Sequence, residues 1–222
     1  MGIKLCLSFL RKQGSIRFSS KIILFFLIVV NFQLNAQSNW KGFWKQSTPI
    51  KCWVVTHPFK AKKAQIISEE TKQITDSIAK TNLLDGDKFG GQVDAFRHAY
   101  WMARLRQEIG KGASLSLGRA YERSNKKSFR KSKRKGEISG YDKVSKQMDL
   151  FNNKVGVTFT KKREIIQKNE LINEIINSIK EGKFKIIKKD SAGNCLDCNG
   201  KKLSKTKHND WKSLKCLVFS KL

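Results

Sequence analysis

The chain has 222 residues and a formal net charge of +28 at pH 7, from 46 Lys and Arg against 18 Asp and Glu. Its length suits one domain of ordinary size with a real core. The charge points to anionic partners: nucleic acid, phospholipid headgroups, acidic glycans or cell-wall polymers. The lysines are scattered, however, which also suits plain solubility.

The N-terminus carries Lys4, Arg11, Lys12, Arg17 and Lys21 ahead of the apolar run from Ile22 to Val30. A charged start, a short apolar core and a small residue at Ala36 form an export pattern, so residues 1–36 read as a cleaved signal peptide. The run is too short for a spanning helix, which needs about 20 apolar residues. No transmembrane segment is expected after cleavage, and the expected location is exported, periplasmic or secreted.

Residues 37–64 form a segment rich in Trp and Lys, with Trp40, Trp44, Trp53 and Phe59. Cys52 to Val55 reads as a short extended piece, and Pro58 argues against helix there. Ile67, Thr71, Ile74 and Ile78 recur at helical spacing and predict a helix over 66–80. Asp85-Gly86-Asp87 and Gly90-Gly91 mark a loop. Helices are then predicted over 92–109 and 114–123. A basic, solvated loop is expected over 124–142. Val144, Met148, Phe151 and Val155 predict a helix over 143–155, and Ile172, Ile175, Ile176 and Ile179 another from 169 to Gly182. Phe184 to Ile187 and Leu214 to Phe219 have strand composition. The fold expected is mainly α: about five helices spanning 65–182, with a small C-terminal antiparallel sheet in a hairpin-like extension over 183–222.

On the 92–109 helix, Arg97, Arg104 and Glu108 share a strip expected to face water. Asp94 and His98 fall inside the apolar arc, four residues apart, so their side chains can meet. A buried carboxylate and imidazole must be paired or hydrogen-bonded. A carboxylate beside an imidazole raises its pKa and fixes its tautomer, which suits a general base or a metal ligand. Asp149, Asn152 and Asn153 share one face of the 143–155 helix, and Glu122 is a further candidate. The catalytic set expected is thus Asp94, His98, Glu122, Asp149, Asn152 and Asn153, with a divalent metal as a possible cofactor of unspecified identity. The opposing reading makes the Asp–His pair a network that ties helices together.

Two runs carry a resemblance: Gly90-Gly91-Gln92-Val93-Asp94-Ala95-Phe96-Arg97-His98-Ala99-Tyr100-Trp101, and Met148-Asp149-Leu150-Phe151-Asn152-Asn153-Lys154-Val155-Gly156. They resemble a family of uncharacterised domains in exported bacterial proteins, over roughly residues 50–160. The ending Leu34-Asn35-Ala36-Gln37 resembles signal peptides of Bacteroidetes. The resemblance implies an Ala-His-Glu triplet between the runs, where this chain has Ala120-Tyr121-Glu122. Its polar motif implies a hydrolase-like site, altered here if that His acts in relatives.

Weaker signals complete the reading. Lys126, Lys127, Arg130, Lys131, Lys133, Arg134 and Lys135 could contact anions, as ligand or surface. They carry no specific nucleic-acid motif, and only Phe129 interrupts them. Cys195 and Cys198 with His208 and Cys216 could hold zinc, but a second close pair is missing, and a disulfide suits an exported chain better. Cys52, Cys195, Cys198 and Cys216 allow three full pairings. Asp85 and Asp87 read as a turn rather than a calcium loop, and Gly90-Gly91 could offer backbone N–H groups to an anion or equally well form a tight turn. Two functions follow as expectations: a hydrolase-like site acting on an anionic substrate, or a non-catalytic basic binding module.

Overall fold

The computed structural model describes residues 45–137, 139–204 and 210–221. Residues 1–36, expected to be a signal peptide, and Trp40, Trp44 and His208 lie outside the described residues. The chain divides into two compact units, residues 1–56 and 57–222.

In the first unit, α1 spans Thr48–Thr56. The extended piece expected at Cys52 to Val55 is therefore helical. The second unit holds α2 (Pro58–Ile78), α3 (Gln92–Ile109), α4 (Lys111–Arg134), α5 (Lys143–Gly156), α6 (Lys168–Lys180), β1 (Lys185–Ile187) and β2 (Leu217–Phe219). The architecture is mainly α. Pro58 begins a helix rather than preventing one, because its missing N–H falls in the first turn, where no intrahelical partner exists.

Helix α3 is the axis of the core. Val93, Ala95, Phe96, Ala99, Tyr100, Met102, Ala103 and Leu105 have no exposed surface. It packs against α2, α4, α5, α6 and β1. Its start is capped by Asp85, whose carboxylate accepts from the backbone N of Gln92 at 2.6 Å and of Val93 at 3.2 Å. The N–H groups expected to hold an external anion thus hold the chain's own carboxylate. A side chain at Gly91 would meet Asp85 Oδ2 at 2.4 Å, so this turn requires glycine.

The basic segment expected as a loop over 124–142 is helical as far as Arg134. Phe129 anchors it. That residue is buried, with its ring centroid 5.3 Å from that of Trp211, and Lys126 lies over the same indole at 4.8 Å. Lys and Arg are good helix formers, and their cations favour the C-terminal end of the helix dipole. Gly136, with φ of 73°, follows the helix end.

β1 and β2 pair antiparallel, with Ile186 opposite Val218. Between them runs a long excursion closed by the disulfide Cys198–Cys216. That bond removes two of the four residues considered for zinc, while Cys195 is a buried free thiol. Among the described residues no helix is long and apolar enough to cross a membrane.

Candidate functional site

Three helices bring the polar residues together. α3 supplies Asp94, Arg97 and His98, α4 supplies Glu122, and α5 supplies Asp149 and Asn153. All six except Arg97 are buried. The α3–α5 crossing is close: a Cβ on Gly156 would stand 2.4 Å from the Cα of Ala99. That closeness lets short side chains on α5 reach His98.

His98 is 2% exposed. Its Nδ1 lies 3.0 Å from Asn153 Oδ1, and because an amide oxygen only accepts, Nδ1 carries the proton. Nε2 then presents its lone pair to a crowded point. Arg97 Nη2 lies 2.7 Å away, Asp149 Oδ1 3.1 Å and Asp94 Oδ1 3.8 Å. Nε2 cannot accept from Arg97 and donate to Asp149 at once. The arrangement therefore needs positive charge between the acceptors, and the Arg97 guanidinium supplies it. It holds Asp94 Oδ1 through Nε at 3.0 Å and Nη2 at 2.5 Å. Asp94 Oδ2 accepts from the Gly90 backbone N at 2.9 Å, which fixes that carboxylate.

Burial and Arg97 push the His98 pKa down, but the Asp149 and Asp94 carboxylates outweigh them and leave it above its ordinary value. Burial likewise opposes the charge on Arg97, and the same two carboxylates more than restore it. Glu122, 1% exposed, is pushed up to about 7 by burial first and by Asp149 second. Tyr141 donates to Glu122 Oε2, while Oε1 has no partner. Burial and Glu122 push the Tyr141 phenol up, so it stays a donor.

A cleft of about 760 Å³ opens onto this cluster, lined by Asp94, Arg97, Tyr121, Asn125, Tyr141 and Asp149. His98 and Glu122 sit behind its wall.

Five of the six residues expected to be catalytic thus gather at one place. Asn152 does not join them. Its Nδ2 donates to the Lys185 carbonyl at 2.8 Å and its Oδ1 accepts from the Lys185 N at 2.9 Å, which ties α5 to β1. Arg97, expected to face water, turns back onto the site; its spacing of three from Asp94 on the helix was the available signal. Tyr141 gave no signal in the sequence. Arg104, on the same expected strip, bonds Glu70 at 3.3 Å and Gln107 at 2.5 Å. Glu108 pairs with Lys63 at 2.9 Å on the surface.

Asp94, His98 and Asp149 can each present one ligand atom, all within 4.8 Å of one another. Metal–ligand bonds of about 2.1 Å place neighbouring ligand atoms about 3–3.5 Å apart; His98 Nε2 lies 3.1 Å from Asp149 Oδ1 and 3.8 Å from Asp94 Oδ1. Two carboxylates and an imidazole suit a divalent cation of borderline hardness.

A mainly helical domain with a buried carboxylate–imidazole cluster under a cleft is the class that fold and site define. The sequence matches the family described as Domain of unknown function (DUF6973) over residues 51–183, and the chain belongs to that family. No curated protein and no solved structure matches it.

Proposed function

We propose that the cleft is a hydrolase-like site that uses a divalent cation to act on an anionic substrate. One observation carries this reading: the Nε2 lone pair of His98, with its tautomer set by Asn153, faces Asp94 Oδ1 and Asp149 Oδ1 beneath an open cleft. Three ligands with the remaining positions open is the pattern of catalytic rather than structural metal sites. A cation there would supply Lewis-acid activation.

The residues of the chain do the rest. Asn153 holds the imidazole in place. The Gly90 N–H fixes Asp94. Arg97, which lines the cleft with its side chain 36% exposed, would meet the substrate's negative charge there. Glu122, behind the cleft wall, keeps a proton near neutrality and accepts from Tyr141, which it orients in the cleft lining. Export of the domain belongs to the same reading, supported by the basic and apolar pattern of residues 1–36.

The test is metal content by mass spectrometry after loading with Mn²⁺ or Zn²⁺, together with hydrolysis of bis(4-nitrophenyl) phosphate. Wild type should hold near-stoichiometric metal and turn the ester over. Asp149→Asn and His98→Ala should lose both while keeping their helical circular dichroism. Folded variants indistinguishable from wild type on both counts would sink the reading and leave the basic binding module in its place.

A further inference from the structure

One end of the second unit gathers exposed apolar side chains and cations. Helices α2 and α3 run antiparallel, with Lys63 Nζ on Glu108 at 2.9 Å and Arg104 Nε on Glu70 at 3.3 Å. The start of α2 therefore lies beside the end of α3, where α4 begins at Lys111. A turn over residues 160–165 docks at the same place. Its Arg163 N donates to the Gln107 carbonyl at 2.9 Å, and Gln107 Nε2 donates to the Glu164 carbonyl at 3.1 Å. Gln107 stands about 20 Å from Asp94 along α3, at about 1.5 Å per residue, so this end is remote from the cleft.

Three apolar residues project from it: Phe59 is 94% exposed, Ile66 54% and Ile165 100%. Phe59 and Ile66 stand seven apart and share one stripe of α2, away from the buried Ala64, Ile67 and Thr71. Ile165 is held out by a fixed turn. Thr160 Oγ1 donates to the Ala103 carbonyl at 2.7 Å, Lys161 N donates to the Glu164 carboxylate at 2.5 Å, and Ile166 packs against the core. Arg163 takes the left-handed conformation, with φ of 64°, which is uncommon for a residue with a side chain. Residues 58–63, 108–112 and 160–165 together hold seven Lys and Arg against two Glu. Both carboxylates are engaged, Glu108 by Lys63 and Glu164 by the Lys161 N–H.

We infer that this end of the molecule docks on an anionic phospholipid surface. Separate apolar side chains projecting from a basic surface match a layer that is charged outside and hydrocarbon beneath. Phe59 and Ile165 enter the interface, while Lys111, Lys161 and Lys162 meet the headgroups. A nucleic-acid backbone would use the cations and leave Ile165 in water. A protein partner would call for a continuous apolar centre rather than separated projections. Docked this way, the chain holds its cleft at the other end of α3, open to compounds in solution. The docking does not depend on what the cleft does.

The experiment is co-sedimentation of the full chain with phosphatidylcholine vesicles, with and without phosphatidylglycerol. The apolar run of residues 22–30 is common to every variant, so differences between variants belong to the docking end. Wild type should prefer the anionic vesicles at least about 10-fold. Ile165→Asp, at a fully exposed position, should weaken that binding about 10-fold. Lys111→Glu, Lys161→Glu and Lys162→Glu combined should weaken it at least about 50-fold. The same charge change at Arg130, Lys131 and Arg134, exposed on the far part of α4, should cost about 5-fold or less. Circular dichroism verifies the fold of each variant. Hydrogen exchange read by mass spectrometry should show protection over residues 160–165 on vesicle binding, absent in Ile165→Asp. The inference is overturned if Ile165→Asp binds like wild type, or if the α4 variant loses as much as the variant at the docking end. It is equally overturned if vesicles without phosphatidylglycerol bind as tightly, or if exchange over 160–165 does not change.

Discussion

His98 and Asn153 meet across the α3–α5 crossing, Nδ1 to Oδ1 at 3.0 Å, and this contact decides which ring nitrogen faces the carboxylates. Removing it leaves a buried N–H without a partner. Asn153→Ala should therefore cost about 1–3 kcal/mol of stability, read as a lower urea midpoint. Loss of a residue that orients a metal-ligating histidine should also weaken divalent-cation affinity about 10- to 100-fold. Unchanged affinity would mean that the tautomer is not set by Asn153.

Arg97 occupies the point where a cation would sit, between Asp94 Oδ1 and His98 Nε2. Two cations cannot share that place. Arg97→Met should bind Mn²⁺ or Zn²⁺ more tightly than wild type, while turnover of an anionic ester falls for lack of the guanidinium. Calorimetric titration reads the first effect and steady-state kinetics the second. Weaker metal binding in the variant would make Arg97 a support of the site rather than a competitor.

Glu122 ties stability to pH in the cation-free protein. Its carboxyl holds a proton up to about 7 when folded, against an ordinary value of 4.5. The unfolded chain releases that proton first, so stability falls as pH rises from 4.5 towards 7, by up to about 3 kcal/mol. His98, also raised, acts in the same direction: its contribution is present below 6.5 and is lost as pH rises through the higher folded value. Urea midpoints in EDTA should drop between pH 5 and pH 8. Glu122→Gln, a neutral stand-in for the protonated acid, should flatten most of that drop. A slope identical to wild type would remove Glu122 from the account.

The sequence was most legible where one face of a helix had to be buried. Asp94 and His98 inside an apolar arc had to find partners; in the structure Asp94 bonds Arg97 and the Gly90 N–H, and His98 bonds Asn153. It was least legible where a single distant contact decides. Phe129, by packing on Trp211 from far along the chain, anchors a stretch of lysines and arginines that are themselves good helix formers. Periodicity cannot register one anchor. Arg97 misled for a related reason: its position on the wheel is that of a solvent-facing residue, but its side chain is long enough to fold back onto Asp94. Asn152 and Asn153 are neighbours in sequence, yet they serve the sheet and the site respectively, a division that depends on where β1 docks.

Gly156 sets the distance on which the whole site depends. A Cβ there would lie 2.4 Å from Ala99 Cα and 2.8 Å from its carbonyl oxygen, contacts with backbone that has no rotamer to yield. In an open helix, replacing Gly with Ala would stabilise by up to about 1 kcal/mol. Here the sign should reverse, with Gly156→Ala costing about 1–3 kcal/mol as α5 is forced from α3. The same movement draws Asp149 and Asn153 away from His98, so cation affinity should fall in step with the melting temperature. Gly112, with nothing near its Cβ position, is the control. Gly112→Ala should be neutral or slightly stabilising and leave cation binding unchanged. If Gly156→Ala behaves like Gly112→Ala, the close helix crossing does not exist in solution, and the approach of Asn153 to His98 that it permits goes with it.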